Sequence, residues 1–171
     1  MACNLTQGRT IDCRSNTGGI EEILIANFDD ITIDTVAAGV LTGLTQAAAT
    51  NFYIYNMEKE NASLVETHTG SLENGTNFYD SVLDFSTKNL TASESEELTL
   101  IDQARLFVIV KTNNGKWWTV GAYFAADKLT GTSISGMAFG DMSGYTYSIT
   151  AKEKVRMLEV DSVVISGLIT A

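Results

Sequence analysis

The stretch Leu106-Phe-Val-Ile-Val-Lys-Thr-Asn-Asn-Gly-Lys-Trp-Trp-Thr-Val-Gly-Ala-Tyr123 decides the fold class. Leu106 to Thr112 is a short apolar run rich in β-branched residues and reads as a strand. Asn113-Asn-Gly115 is a tight turn, because an Asn-Gly pair supplies the positive φ angles that a type I′ turn demands. Lys116 to Tyr123 is the returning strand. The spacing therefore predicts an antiparallel β-hairpin.

The same texture extends outward in both directions. Ile20–Asn27 and Ile31–Val36 read as strands, with Ile31 and Ile33 alternating with Thr32 and Asp34 as one buried face requires. Asp29-Asp30 between them is a turn. Residues 37–50, rich in Ala, Gly and Thr, have no clean period and read as a loop. Asn51–Met57 and Ala62–Thr69 form a second hairpin across Glu58–Asn61, and residues 76–87 continue with Phe78, Val82, Leu83 and Phe85 on a strand. Beyond the central hairpin, strands are expected around Thr130–Ala138, Gly144–Val155 and Val160–Gly167.

One helix stands out, beginning near Thr91 or Ser93. Ser93-Glu-Ser-Glu96 fits a capping box, and Glu94, Glu96 and Glu97 sit at the positive end of the helix dipole. Leu98, Ile101 and Ala104 then give an apolar stripe that should face a sheet. The expected fold class is mainly β: an antiparallel β-sandwich or barrel with one flanking α-helix (about residues 93–104) and an extended N-terminal arm, residues 1–19. With no repeat, no linker and no proline, residues 1–171 read as a single domain.

Bulk composition narrows the function classes. The chain has 171 residues, 44% of them hydrophobic and 19% charged, so a packed core is available. The net charge of −10 repels a phosphate backbone and argues against nucleic-acid binding. No apolar run is long enough to span a bilayer, and the N-terminus has no hydrophobic signal region, which together suggest a soluble protein made in a cytoplasm. Two cysteines, Cys3 and Cys13, and one histidine, His68, make a poor metal inventory.

Catalytic constellations are also missing from the pattern. His68 lies in an alternating Thr-His-Thr strand with no nucleophile signature beside it. The carboxylate pairs Glu21-Glu22 and Asp29-Asp30 are adjacent, so on a strand their side chains point to opposite faces. No phosphate-binding glycine loop and no calcium loop is present. No catalytic, cofactor-binding or metal-ligating residue, and no cofactor, is expected. Trp117 and Trp118 are neighbours on one strand, so one should face the core and the other a surface suited to an interface.

Three stretches carry a resemblance. "LFVIVKTNNGKWWTVG" (106–121) resembles a strand–turn–aromatic-strand hairpin of phage virion proteins. "GMAFGDMSGYTYSITAKEK" (136–154) resembles the glycine-rich turn and Thr-rich strand of the same group, and "LTQGRTIDCRSNTGGIEEILIANFDDI" (5–31) is similar to the start of tail-tube proteins from phages of Bacteroidetes-like hosts. Together they cover somewhat under half the chain, and none is a catalytic motif.

The resemblance to the phage tail tube (major tail protein) family implies a homo-oligomer. Its subunits form hexameric rings that stack into a hollow tube, through which DNA passes without specific binding. Other tail proteins (tape measure, baseplate or terminator, sheath) would be partners, the membrane would not, and the location would be the virion tail. An acidic lumen suits such passage. The arm and the loop 37–50 are the segments expected to order on a neighbour. Candidate subunit-interface residues are Arg9, Asp12 and Arg14 in the arm, Thr42 and Gln46 in the loop, and Trp117 and Trp118. The rival readings are a head–tail connector, tail terminator or capsid-decorating protein, and a carbohydrate-binding β-sandwich module.

Overall fold

A computed structural model of the chain describes residues 8–9, 14–48 and 50–169. Two sheets face each other, as expected of a mainly β sandwich. The first has seven strands: β1 (Ile20–Asn27), β2 (Ile31–Ala37), β3 (Val40–Gln46), β4 (Tyr53–Asn56), β7 (Leu106–Thr112), β8 (Trp117–Val120) and β11 (Glu159–Val160), in the order β2-β3-β11-β8-β7-β1-β4. The second has four: β5 (Ala62–Ser71), β6 (Thr76–Lys88), β9 (Asp127–Ile134) and β10 (Gly144–Glu153), in the order β5-β6-β10-β9. Two helices join them, α1 (Ala92–Gln103) and α2 (Ser162–Ile169). Every strand pair is antiparallel except β3–β11.

The central strands are apolar on both faces because two cores need them. Ile23, Ile25, Val108 and Val110 point between the sheets and meet Leu83, Phe85, Tyr147 and Ile149. Leu24, Ala26, Phe107 and Ile109 point the other way and meet Leu41, Phe52, Trp117 and Leu158, with Ile165 and Leu168 of α2 in the same cluster. Burying each such large apolar side chain contributes about 1.5–3 kcal/mol, so β1 and β7 hold both layers.

The first sheet cannot be flat. Four strands separate β1 from β2, yet only Phe28–Asp30, a 3₁₀ turn, joins them. Five flat inter-strand steps would span roughly 24 Å. The connecting peptides reach at most about 14 Å. The sheet therefore curls, and the pairings make β1 and β2 run in the same direction, so the Asp29-Asp30 segment is a bend that changes partners and not a hairpin turn.

Several sequence expectations are corrected here. Residues 37–50 are not a loop: Val40–Gln46 is a strand, entered by a tight turn in which Ala38 (φ 51°) and Gly39 (φ 84°) both have positive φ, and Leu41 is fully buried. The C-terminal segment is strand only at Glu159–Val160. It becomes α2 because Asp161 Oδ1 accepts the Val163 N–H (3.0 Å) and helical spacing buries Ile165 and Leu168 together. The α1 cap is Thr91, whose hydroxyl accepts the Glu94 N–H (3.3 Å), and not Ser93.

β4 and β5 do not pair; Glu58–Asn61 carries the chain from one sheet to the other. In the central hairpin Gly115 (φ 74°) has positive φ and Asn114 does not, so the turn is not type I′. The return strand stops at Val120, where Gly121 takes φ 76°. The strand placed at Thr130–Ala138 begins earlier and ends at Ile134.

Candidate functional site

The side chains best suited to chemistry are occupied structurally. His68 is exposed, its Nε2 pairs with Asn77 Oδ1 across the β5–β6 hairpin, and its ring lies 5.2 Å from that of Tyr79. Glu21 and Glu22 both approach Lys111, at 3.1 and 4.0 Å. Asp29 faces Arg105 at 3.4 Å, and Asp30 accepts from Asn27 Nδ2 at 3.3 Å. Among the described residues no group of three His, Cys, Asp or Glu side chains is placed to hold a metal ion, and no helix is long and apolar enough to cross a membrane. Cys3 and Cys13 lie outside the described residues.

The larger clefts gather few charged groups: one cleft of about 470 Å³ on the second sheet has Glu60 and Asp84 in its lining and no basic residue. One of about 380 Å³ lies between β1, β4 and α1, lined by Tyr53, Tyr55, Leu100 and Ala104, with Glu97 its one charged side chain. Burial, followed by the nearby Tyr147, Glu97 and Glu94, pushes the Tyr55 hydroxyl up to about 12. Another of about 660 Å³ lies between β3 and α2 and has no charged side chain in its lining.

What the molecule presents instead is two distinct ends of the second sheet, separated by the length of β10. Ten residues of strand make that separation roughly 30 Å. At the start of β10, residues 135–143 form a loop held by one carboxylate. Asp141 Oδ2 accepts the N–H groups of Met137 (2.9 Å) and Ala138 (2.8 Å), and these bonds to the charged form hold its carboxyl below the usual range. Gly136, at φ 71°, lies so close to Asp141 that a Cβ there would come within 2.8 Å of the aspartate Cβ. The loop so fixed presents Met137 and Phe139 wholly to solvent.

Helix α1 begins at this same end. The Asn89 N–H donates to the Ser143 carbonyl (2.8 Å), and the Tyr145 hydroxyl donates to the Thr91 carbonyl (3.2 Å). Within the helix Glu94, Glu96, Glu97 and Asp102 are the charged residues, and none is basic. Asp102 is paired with Lys128.

At the finish of β10 the charge and the chemistry change. Lys152, Lys154 and Arg156 follow one another at every second position and stand over the rings of Phe78 (5.8 Å), Phe124 (5.3 Å) and Tyr79 (5.2 Å) respectively. Between them Glu153, 7% exposed, turns inward, and its Oε1 accepts the N–H groups of Tyr123 (2.9 Å) and Phe124 (3.0 Å). Burial raises its carboxyl above the ordinary value, and those two N–H donors oppose the rise. That carboxyl pins the segment after Gly121 so that the Tyr123 and Phe124 rings are exposed. The β5–β6 hairpin runs on past this end, since Glu153 is level with Tyr79 and the turn lies beyond Thr76, with Leu72 wholly exposed at its tip.

The interface residues expected from sequence do not gather. Arg9 and Arg14 are exposed in the N-terminal segment, and Asp12 lies outside the described residues. That segment is tied down at its end: the Asn113 amide donates to the Gly18 carbonyl (2.7 Å), and Asn114 Oδ1 accepts the Thr17 N–H (2.9 Å). Thr42 and Gln46 line the α2 cleft, where Thr42 meets Thr35 at 3.1 Å and the Gln46 amide donates to the Thr50 carbonyl. Trp117 is buried in the α2 core, and Trp118, on the opposite face, is half-buried.

Met137, Phe139 and the Lys152–Arg156 row were not singled out by sequence reasoning. Apolar residues bracketed by Gly136 and Gly140, and cations at a period of two, were the readable signals. Comparison with known protein families, curated proteins and solved structures finds no match for the chain.

Proposed function

We propose that this chain is a structural, self-assembling virion protein, a tail-tube subunit whose rings stack into a hollow conduit for phage DNA, and not an enzyme. The carrying observation is a rigid two-sheet body with wholly exposed apolar side chains at both ends of its second sheet, Leu72 at one and Met137 and Phe139 at the other. Single exposed apolar residues are ordinary. Here, however, Asp141 fixes the loop that displays two of them, so their exposure is built into the fold. Ends that differ from each other suit heterologous contacts, which close into rings or stack.

The acidic balance of −10 supports the same reading, because a conduit wall must not hold a phosphate backbone. The resemblance in residues 5–31, 106–121 and 136–154 supplies the family. Other tail proteins would meet the ends of such a tube. A carbohydrate-binding module would need exposed aromatics gathered as one platform; neither tryptophan is fully exposed, and the exposed rings of Phe124 and Phe139 belong to opposite ends of β10.

Negative-stain electron microscopy of the purified, concentrated protein tests the proposal. Rings or hollow tubes of uniform width are expected. Discrete monomers or trimers at every concentration would move the reading to a decorating or connector protein.

A further inference from the structure

The two ends of β10 differ in charge as well as in shape. Glu94, Glu96 and Glu97 form no ion pair among the described residues, and they stand on a helix with no basic residue. Of the other charges at that end, Glu58 holds Lys88 and Lys59 is followed by Glu60, while Asp141 adds a further carboxylate. At the far end Lys152 and Lys154 also form no ion pair among the described residues, being engaged only by aromatic rings, while Arg156 has Glu66 at 3.8 Å. Asp80 is the cross-strand neighbour of Lys152, which leaves Lys154 as the least compensated cation. Lys154 stands beside the exposed Phe124 ring, and Glu96 stands at the end that displays Phe139.

We infer that these ends dock on each other in successive copies: the Lys152–Lys154 and Phe124 surface of one copy seats on the start of α1 in the next, where Glu96 is exposed and Glu94 and Glu97 are half-buried behind it. The occupant is a second copy because both halves of the contact are on this chain, each with exposed apolar surface. The patches themselves, apart from Glu66, Asp80 and Glu73 of the β5–β6 hairpin, are opposite in sign: Lys152 and Lys154 toward the finish of β10, and the α1 glutamates toward its start. A patch that fits its own opposite end cannot close on itself within one molecule, so it drives head-to-tail association. The inference rests on the self-assembly reading and adds which surfaces meet.

The test uses two full-length variants and sedimentation velocity over a concentration series, with circular dichroism confirming the fold of each. Lys152→Gln/Lys154→Glu makes both ends acidic without placing a second acid beside Asp80. Glu96→Lys/Glu97→Lys turns the α1 patch from acidic to cationic while leaving Glu94 next to its cap. Wild-type association should weaken as salt rises. Each variant alone should associate at least about tenfold more weakly than wild type, because like charges then meet. Mixed in equal amounts, the two should recover association, since every junction again joins opposite signs. Variants that associate like wild type, a mixture that does not recover, or wild type that stays monomeric throughout would overturn the inference. Charge-dependent chains without tubes in the microscope would leave it standing and sink the tube reading. Tubes indifferent to both reversals would do the opposite.

Discussion

β7 and β9 are strands of nearly equal length in opposite surroundings. Leu106–Val110 of β7 are all buried, with side chains feeding two separate cores. In β9 all but one of eight residues are exposed, and Leu129 projects into solvent from the edge of its sheet. Burial on both sides makes β7 the element that ties the layers together. Pairing on one side only leaves β9, and the loop that follows it, as spare surface. A body held so firmly at its middle tolerates apolar ends. Substitutions that follow the difference should therefore fall steeply in effect from β7 to β9.

Phe107→Ala should be the most damaging. It empties a fully buried site in the α2 core and should cost about 3–5 kcal/mol, read as a lower midpoint in urea. Gly121→Ala comes next. The residue holds φ 76°, and a Cβ would lie 2.4 Å from the Ala126 nitrogen, so backbone strain and a backbone clash combine. A loss of about 1–3 kcal/mol is expected from the strain alone. Thr91→Ala removes the oxygen that caps α1 and should cost about 1 kcal/mol.

Glu153→Gln should show itself in pH dependence. Because burial raises the folded carboxyl, its contribution is fully present below the ordinary value of 4.5 and is lost as pH rises through the folded value. The substituted amide keeps an oxygen for the Tyr123 and Phe124 N–H groups without the charge. Thermal melts should then find the variant at least as stable as wild type at about pH 8, with the gap closing toward about pH 4. Leu129→Thr, on β9, should change stability by no more than about 0.5 kcal/mol.

The legible parts of the sequence were those where local and tertiary demands agree. Leu106–Thr112 reads as a strand and is one, and the same holds for the strand read at residues 76–87, which runs to Lys88, and for the helix after Thr91. β3 was illegible because Val40-Leu-Thr-Gly-Leu has weak strand texture and its turn is Ala-Gly; what makes it a strand is burial of Leu41 and pairing to β2 and β11. α2 was misread for the opposite reason. Val163-Val-Ile165 favours a strand locally, and packing on the curled sheet overrides that preference.

Pairing partners were out of reach as well. A four-residue connection such as Glu58–Asn61 serves a hairpin or a sheet crossing equally well, and only the shared core decides between them. Of the candidate surface, the residues were visible but their placement was not. The cations of Lys152–Arg156 and the acids of α1 gain meaning only when β10 sets them at opposite ends.

Hydrogen exchange of the wild-type protein, compared between dilute and concentrated samples, tests self-assembly through the two ends most directly. Protection should rise on concentration in residues 135–143, 71–76 and the first turns of α1, while β7 stays equally protected in both samples. Identical exchange at the two concentrations in all three end segments would contradict it.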